Sequence, residues 1–298
     1  MEPMGRTDKT SCLTGSTVFV TGGTGSFGQA FVTECLKHDP YAIRIFSRSE
    51  PPQVAMKQKF NNLKLRFLIG DVRERDRLFR AMQGVDIVVH AAALKHVDIC
   101  EYNPIEAVRT NILGAVNVVD CALDTRVSKV INVSSDKAVH PINLYGATKL
   151  SAEKLFTHAD VYGKTKFCNI RLGNIWNSQG SVTAKWMSEI NTGIITVTES
   201  EMSRYWITQE NAAQFAIKCL EMMQGGEIFI PKMPRKTMAE IAEILAPQAG
   251  LHIIGRRAGE KMHELLFSED EKVEDCGDYY VIKKETDDNM RVRTEFLR

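Results

Sequence analysis

A regular alternation of short apolar runs with longer helical patterns constrains this chain more than any other feature of its sequence. Runs rich in β-branched residues recur through the first 170 residues, with segments of helical spacing between them. The predicted strands are Thr17–Val20, Ala42–Phe46, Leu65–Ile69, Val85–His90, Lys129–Val133 and Phe167–Arg171. This alternation is typical of an α/β protein, so we expect a Rossmann-type, doubly wound parallel sheet covered by helices on both faces.

Two long helices and a smaller C-terminal portion complete the expected organisation. Helices are predicted over Pro104–Leu123 and Leu144–Thr157. The first helix should turn a set of apolar side chains towards the core, namely Ile105, Val108, Ile112, Ala115, Val116 and Val119. Later elements are predicted to be shorter: helices Asn211–Met223 and Met238–Leu245, and strands Glu227–Ile230 and Tyr279–Ile282. We expect a flexible tail (1–15), a Rossmann domain (16–175) and a smaller α/β portion (176–298) whose segments can return to the first sheet.

Composition and charge argue against several classes of protein. The 38 basic and 37 acidic residues leave a net charge of +1, so no bulk attraction to nucleic acid or to an anionic membrane is expected. The most apolar stretch, Val85–Leu94, is far shorter than the roughly 20 residues of a membrane helix. The first residues lack the pattern of a secretory signal, which predicts a cytoplasmic protein. The seven cysteines never form C-x-x-C, so we expect reduced thiols and no metal cluster.

A glycine-rich loop follows the first predicted strand directly and precedes a helix. Its glycines have G-x-x-G-x-x-G spacing, which allows a tight turn and a close approach of the backbone to a pyrophosphate. The following helix offers free N–H groups and its positive dipole end to that anion. The alternative is an ordinary glycine-rich turn, but the order of strand, loop and helix favours a dinucleotide site. The candidate contacts in this loop are Thr21, Gly22, Gly25, Ser26, Phe27 and Gly28.

The end of the second predicted strand favours NADP over NAD. An acidic residue at this place binds the ribose 2′-hydroxyl of NAD, whereas an arginine suits the 2′-phosphate of NADP. This chain has Ser47 and Arg48 there, with no carboxylate before them. The alternative is an exposed surface arginine. Asp71 and Val72, after the third strand, are placed to contact the adenine, although such an aspartate is as often a helix cap.

A cluster of chemically active residues follows the fifth predicted strand. The strand leads into Ser135, Asp136 and Lys137, and a predicted helix then carries Tyr145 and Lys149. Residues at positions i and i+4 share one helix face. A cation beside a phenol favours the phenolate, so we expect Lys149 to lower the pKa of Tyr145 towards the working range of a general base. The alternative is a surface Tyr–Lys pair, which is common on helices.

Together, the glycine loop and this Tyr–Lys pair resemble the extended short-chain dehydrogenase/reductase family, whose members mostly act on nucleotide sugars. The resemblance spans nearly the whole chain and implies a homo-oligomer. It implies that Tyr145 is the general base on a sugar hydroxyl, that Lys149 also binds the nicotinamide ribose, and that Ser135 hydrogen-bonds the substrate oxygen. Asn111 matches the asparagine that supports the lysine.

Several further segments look like the C5-inverting UDP-N-acetylglucosamine 4,6-dehydratases within that family. They are Ala91–His96, Ser135–Lys137, Pro141–Lys149 and Gly259–Glu264. The resemblance places Ala91, Ala92 and Lys95 at the cofactor edge of the sheet. It implies substrate-binding roles, mainly towards the diphosphate and ribose, for Lys95, Asn174, Arg204, Arg257 and Glu260, each of which has a surface charge or polar group as its alternative.

The Asp136–Lys137 pair predicts elimination of water. Oxidation at C4 acidifies C5, so one group must take the C5 proton and another must protonate the departing 6-hydroxyl. We expect Lys137 to be the base and Asp136 the acid, although these coupled roles could be exchanged. The expected product is a UDP-4-keto-6-deoxy-N-acetylhexosamine, formed with tightly bound NADP. The alternatives are a UDP-sugar 4-epimerase, which needs no such pair, and a non-catalytic NADP-binding regulator.

Overall fold

The computed structural model describes residues 11–284. The strands, numbered in chain order, are β1 (Thr17–Thr21), β2 (Ala42–Ser47), β3 (Leu65–Ile69), β4 (Ile87–His90), β5 (Lys129–Ser135), β6 (Lys166–Leu172), β7 (Asn174–Ile175), β8 (Ile194–Val197), β9 (Ser203–Ile207), β10 (Ile228–Pro231), β11 (Arg235–Thr237), β12 (Gly250–Ile253), β13 (Val273–Asp275) and β14 (Tyr279–Ile282). The helices are α1 (Ser26–Leu36), α2 (Glu50–Phe60), α3 (Arg75–Met82), α4 (Val97–Tyr102), α5 (Pro104–Val108), α6 (Gly114–Asp124), α7 (Leu144–His158), α8 (Val182–Glu189), α9 (Gln209–Met222) and α10 (Met238–Leu245).

Within these residues, one nine-stranded sheet has the order β13-β14-β10-β6-β5-β4-β1-β2-β3. The strands from β3 to β10 are parallel, and β14 and β13 add an antiparallel edge. The strand order reverses between β1 and β4, which is where open α/β sheets bind their ligands. The predicted fold class, an α/β protein with a Rossmann-type sheet, is therefore confirmed.

Helices cover both faces of this sheet, as its apolar strands require. On one face α1 packs against α9, and Phe31 and Ala216 are completely buried there. On the other face α3, α6 and α7 bury Leu78, Val118 and Phe156. Three strands of the sheet come from residues after 175, so the later part of the chain returns to the first sheet.

A smaller lobe is built from the remaining short strands. It contains a three-stranded sheet of order β11-β9-β7 and a pair formed by β12 and β8. Trp186, Trp206 and Ile241 form its separate apolar core. Because β7 follows β6 after one residue, this lobe lies against the carboxyl edge of the central sheet. No helix within residues 11–284 is long and apolar enough to cross a membrane.

The expected tail over residues 1–15 needs correction for its last five residues; residues 1–10 lie outside the described part of the chain. Leu13 is completely buried in the core beside α1. The Ser11 hydroxyl and the Cys12 N–H donate hydrogen bonds of 2.6 and 2.8 Å to Glu221 on α9. Residues 11–15 therefore belong to the folded domain, because burial of Leu13 and these bonds hold them in place.

The long helix predicted over Pro104–Leu123 is interrupted. A π-helical turn, Arg109–Leu113, separates α5 from α6. A π turn contains more residues than an α turn, so side chains before and after it do not share one face. Ala115 and Val119 are buried as expected, but Ile105 is 65% exposed, so its predicted core position is wrong.

The predicted C-terminal elements are found with small shifts at their ends. α10 and β14 have the predicted bounds. α9 begins two residues early, because the Thr208 hydroxyl accepts a 3.1 Å hydrogen bond from the Asn211 N–H and so caps the helix at Thr208. All seven cysteines lie in the described residues and are free thiols.

A buried ionic cluster joins the central sheet to the C-terminal segment. Arg171 on β6 is 1% exposed and donates hydrogen bonds of 3.0 and 2.8 Å to Glu153 on α7. The same guanidinium contacts Glu271 at 2.8 Å and donates to the Leu266 carbonyl at 2.8 Å. Because Glu153 is completely buried, its charge depends on Arg171 for compensation.

Replacement of Arg171 should therefore destabilise the protein strongly. We expect Arg171→Met to lower the free energy of unfolding by about 3 to 5 kcal/mol, since it leaves a buried carboxylate without its partner. Urea denaturation followed by circular dichroism measures this loss. Lys185→Met, which breaks the exposed pair with Glu189, is the control and should have no measurable effect. A loss below about 1 kcal/mol for Arg171→Met would contradict this account.

Candidate active site

The glycine loop closes tightly against the neighbouring strand. A Cβ atom on Gly22, whose φ is +65°, would lie 2.8 Å from the Ala92 nitrogen. A Cβ atom on Gly28 would lie 2.6 Å from the Gly22 carbonyl oxygen. Side chains therefore do not fit at these two positions, because they would meet the protein's own backbone, and the glycine loop packs closely at the switch point of the sheet.

Thr21 ties the end of β1 to the end of β4. Its hydroxyl lies 2.8 Å from His90 Nδ1 and accepts 3.2 Å hydrogen bonds from the N–H groups of Ala91 and Ala92. Burial, together with the nearby charge of Lys149, lowers the pKa of His90 to about 3, so this imidazole is neutral. The sequence candidates did not include His90. The only sequence feature that pointed to His90 was the presence of a polar residue inside an apolar strand.

The backbone N–H groups in the first turn of α1 are available to a ligand. Gly25 precedes the helix without a side-chain cap in the described structure, so the first N–H groups of α1 have no partner inside the helix. The Phe27 ring points into the core and stacks on Phe31 at 6.2 Å, so only its backbone can serve a ligand. The Ser26 hydroxyl accepts a 2.8 Å hydrogen bond from the Gln179 N–H.

Gln179 also joins the loop after β4 to the small lobe. Its carbonyl oxygen accepts a hydrogen bond from Lys95. Burial lowers the pKa of Lys95. Both predicted contact residues Ser26 and Lys95 therefore meet one residue of the small lobe. The sequence did not indicate Gln179, because the residues that it contacts, Ser26 and Lys95, lie far away in the chain.

The candidate residues after β2 and β3 lie along the same edge. The Ser47 hydroxyl accepts a 2.9 Å hydrogen bond from Gln53, and Arg48 is exposed at the end of β2. Asp71 is buried, which opposes its ionisation, but hydrogen bonds from Arg73 lower its pKa. Val72 is buried and packs against Gly114: a Cβ atom on Gly114 would lie 2.8 Å from the Val72 side chain.

A close backbone contact sets the geometry around Tyr145. β5 ends at Ser135, and the next three residues, Asp136–Ala138, form a 3₁₀ turn. A Cβ atom on Gly146 would lie 2.3 Å from the carbonyl oxygen of Lys137. Asn143 caps α7 by accepting a 2.7 Å hydrogen bond from the Gly146 N–H. The first turn of α7 therefore packs directly on the 3₁₀ turn, with Tyr145 beside it.

The ionisation of Tyr145 and Lys149 differs from the expectation. Burial raises the pKa of Tyr145, and a hydrogen bond with Ser135 opposes this rise only in part. Burial also lowers the pKa of Lys149 to about 8, and its ammonium donates a 2.6 Å hydrogen bond to the Val133 carbonyl. The predicted lowering of the tyrosine pKa is therefore wrong for this structure, because desolvation of the phenol dominates.

Asn111 lies in the π-helical turn and connects three elements. Its amide accepts a 2.8 Å hydrogen bond from the Leu94 N–H and donates one of 2.9 Å to the Leu94 carbonyl. It also donates to the Thr148 hydroxyl at 3.0 Å. Asn111 thus holds the segment after β4 against α7 next to Lys149. π turns are frequent at functional sites, and this one places Asn111.

Lys137 lies among acidic and amide oxygens. Its ammonium donates hydrogen bonds to Asp136 Oδ1 at 3.0 Å and to Asn174 Oδ1 at 3.1 Å, and lies 3.8 Å from Glu264 Oε1. Asp136 is completely buried, and its Oδ2 has no hydrogen-bond partner in the described part of the chain. The Ser135 hydroxyl donates to Asp136 Oδ1 at 3.0 Å. The two titratable groups of this turn, Asp136 and Lys137, therefore lie within hydrogen-bond distance of each other.

The remaining candidates are divided between this turn and the small lobe. Asn174 contacts Lys137, as described. Arg204 is buried, and its guanidinium donates to the carbonyls of Ser203, Lys261 and Met262 at 2.7 to 3.1 Å. Arg257 is exposed, and its N–H donates a 3.3 Å hydrogen bond to the Glu260 carboxylate. Their contacts with a substrate stay predictions.

Comparisons with known proteins agree with this geometry. A curated relative, the inverting UDP-N-acetylglucosamine 4,6-dehydratase of Campylobacter jejuni, is 46% identical over 85% of this chain and 78% of its own length. The UDP-glucose 4-epimerase of Rickettsia conorii is 42% identical over 89% of this chain and 82% of its own length. The crystal structure of Pen from Bacillus thuringiensis superposes with a TM-score of 0.88 at 39% identity, covering 91% of this chain and 90% of that one.

A family model described as polysaccharide biosynthesis protein matches residues 18–284. This match covers the central sheet, the small lobe and the segment that contacts Lys137. The chain belongs to the polysaccharide biosynthesis protein family.

Proposed function

We propose that this protein is a UDP-N-acetylglucosamine 4,6-dehydratase, a lyase that removes water from the sugar and inverts C5. One observation carries the proposal: the turn with Asp136 and Lys137 packs directly beside Tyr145, because Gly146 has no side chain. Proton-transfer groups for oxidation and for elimination therefore occupy one place. The activity named for the Campylobacter relative supports the same reaction.

The glycine loop fits the pyrophosphate of a nicotinamide dinucleotide. Side chains are excluded at Gly22 and Gly28, and the first N–H groups of α1 are free to bind an anion. We propose NADP as the bound form, because the exposed Arg48 at the end of β2 suits a 2′-phosphate. Ser47, Asp71 and Val72 along the same edge would line the adenosine end.

In the oxidation, Tyr145 accepts the proton of the 4-hydroxyl while Ser135 hydrogen-bonds the same oxygen. A bound nicotinamide would supply the redox chemistry, by taking hydride from C4 and returning it to C6. Only the phenolate of Tyr145 can accept this proton. Because burial raises the pKa of Tyr145 and so disfavours the phenolate, a nearby positive charge must favour it. Lys149, on the same helix face one turn later, is the residue that supplies this charge.

In the elimination, the new 4-keto group makes the C5 proton acidic. We assign removal of this proton to Lys137, once its ammonium has passed a proton to Asp136 across their 3.0 Å hydrogen bond. The protonated Asp136 then protonates the departing 6-hydroxyl, so that the oxygen leaves as water and both groups return to their first charge states. C5 is inverted when a proton from solvent, and not the one that Lys137 holds, enters on the face opposite to Lys137, while Tyr145 releases the proton of the 4-hydroxyl to solvent. The sugar loses one water molecule in total and undergoes no net oxidation.

A 4-epimerase is the second candidate, and the 42% identical relative from Rickettsia conorii favours it. An epimerase would use the glycine loop, Tyr145 and Lys149 in the same way, but it has no need of Asp136 and Lys137 as proton carriers. The buried position of Asp136 and its contacts favour the dehydratase.

Proton NMR of the protein with UDP-N-acetylglucosamine in deuterated water tests the proposed reaction. We expect a new C6 methyl signal with deuterium at C5, because elimination exchanges that proton with solvent through a side chain. A change of configuration at C4 alone, without deuterium in the sugar ring, would establish the epimerase instead. Binding of NADP without conversion of any nucleotide sugar would favour a regulatory protein.

The choice of NADP can be tested with the variant Arg48→Ala. We expect the Kd for NADP to rise about tenfold or more, because a charged hydrogen bond to the 2′-phosphate is lost. The Kd for NAD should change less than about twofold, because NAD carries no such phosphate. Isothermal titration calorimetry on cofactor-free protein measures both. Arg80→Ala on α3, also exposed, is the control. Equal weakening of both cofactors would contradict the assignment.

A further inference from the structure

A short C-terminal segment, residues 261–266, lies over the turn that carries Asp136 and Lys137. Its backbone pairs with β9, where the Ser203 N–H donates a 3.0 Å hydrogen bond to the Met262 carbonyl. Arg204 donates to two of its carbonyls, and Arg171 donates to the Leu266 carbonyl at 2.8 Å. The segment is therefore held at both ends by buried arginines, which fixes the side chain between them.

That side chain is Glu264, which is only 3% exposed. Its Oε1 lies 3.8 Å from the Lys137 ammonium, and its Oε2 lies 3.2 Å from the Lys261 ammonium. Lys261 also donates a 2.6 Å hydrogen bond to the Val139 carbonyl, just after the 3₁₀ turn. Successive contacts thus join four charges of alternating sign: Asp136, Lys137, Glu264 and Lys261.

We propose that Glu264 is a positioning residue for Lys137, and that Lys261 holds Glu264 and balances its charge. The inference rests on the proposed function, since it gives Lys137 the C5 proton. A lysine has a flexible four-carbon stem, and the charge of Glu264 confines its ammonium to the place between Asp136 and Asn174. When Lys137 is neutral during the cycle, Lys261 still compensates Glu264.

The geometry distinguishes Glu264 from Asp136. Asp136 accepts a 3.0 Å hydrogen bond from the Lys137 ammonium, whereas the 3.8 Å separation of Glu264 is an ion pair without a hydrogen bond. Glu264 therefore acts on Lys137 through charge and does not need to contact the substrate. The titratable groups that face Lys137 are Asp136 and Glu264 and, through Glu264, Lys261. Tyr145 interacts with the same two carboxylates, Asp136 and Glu264.

Trace labelling with acetic anhydride tests this role without any turnover. The reagent acylates only neutral amines, so mass spectrometry of the full-length protein reports how readily Lys137 loses its proton. At pH 8, Glu264→Gln should raise the Lys137 labelling rate about threefold to tenfold, because one compensating charge is lost. The exposed Lys185 serves as the internal reference. Glu269→Gln, an exposed carboxylate of the following segment, is the matched control and should change nothing.

The variant Lys261→Met separates positioning from general loosening of the segment. It leaves Glu264 paired with Lys137 alone. A larger fraction of Lys137 should therefore be protonated at pH 8, and its labelling should slow by about threefold. Loosening would instead speed labelling in both variants. Opposite effects of Glu264→Gln and Lys261→Met establish the proposal, whereas equal effects or unchanged labelling would overturn it.

A kinetic experiment connects this position to the reaction. With UDP-N-acetylglucosamine, Glu264→Gln should lower kcat by about 10 to 100-fold while KM changes less than about twofold, because a displaced Lys137 slows elimination and not binding. Glu264→Asp should recover part of kcat. A wild-type protein without turnover would refute the proposed function but leave the labelling result standing. Normal kcat in Glu264→Gln with normal labelling would refute the role of Glu264 but would leave the proposed function standing.

Discussion

The rest of the active site depends on one steric constraint, the contact of α7 with the turn after β5. Because residue 146 has no side chain, its backbone lies against the Lys137 carbonyl, and a Cβ atom there would be 2.3 Å from that oxygen. Asn143 fixes the same helix turn through its cap and also donates a 2.8 Å hydrogen bond to the Gly259 carbonyl. This contact brings Tyr145, on α7, next to the 3₁₀ turn with Asp136 and Lys137.

Buried charges hold the C-terminal part of the chain on this arrangement. Arg171 joins β6, α7 and the segment around Leu266, and Arg204 holds the backbone near Lys261. These arginines bond mainly to carboxylates and carbonyls of the protein. Glu264, which lies beside the 3₁₀ turn, is therefore placed by two arginines that are outside that turn.

Much of the central sheet could be predicted from the sequence, and less of the site. The strand ends, the glycine loop and the helix with Tyr145 follow from local patterns, since apolar runs and glycines determine them locally. The π turn could not be predicted, because its extra residue is accommodated by tertiary contacts such as those of Asn111. His90, Gln179 and Glu264 were missed because their partners lie far away in the chain. The direction of the Tyr145 pKa shift was missed because burial is not visible in the sequence.

The central claim is that the 3₁₀ turn carries out elimination while Tyr145 serves oxidation. The most direct measurement is a single turnover of Lys137→Ala with UDP-N-acetylglucosamine and NADP, with absorbance at about 340 nm and product NMR followed together. Our account predicts that the absorbance of the reduced cofactor rises and persists, while no 4-keto-6-deoxy sugar forms. Formation of that sugar at the wild-type rate would contradict the account.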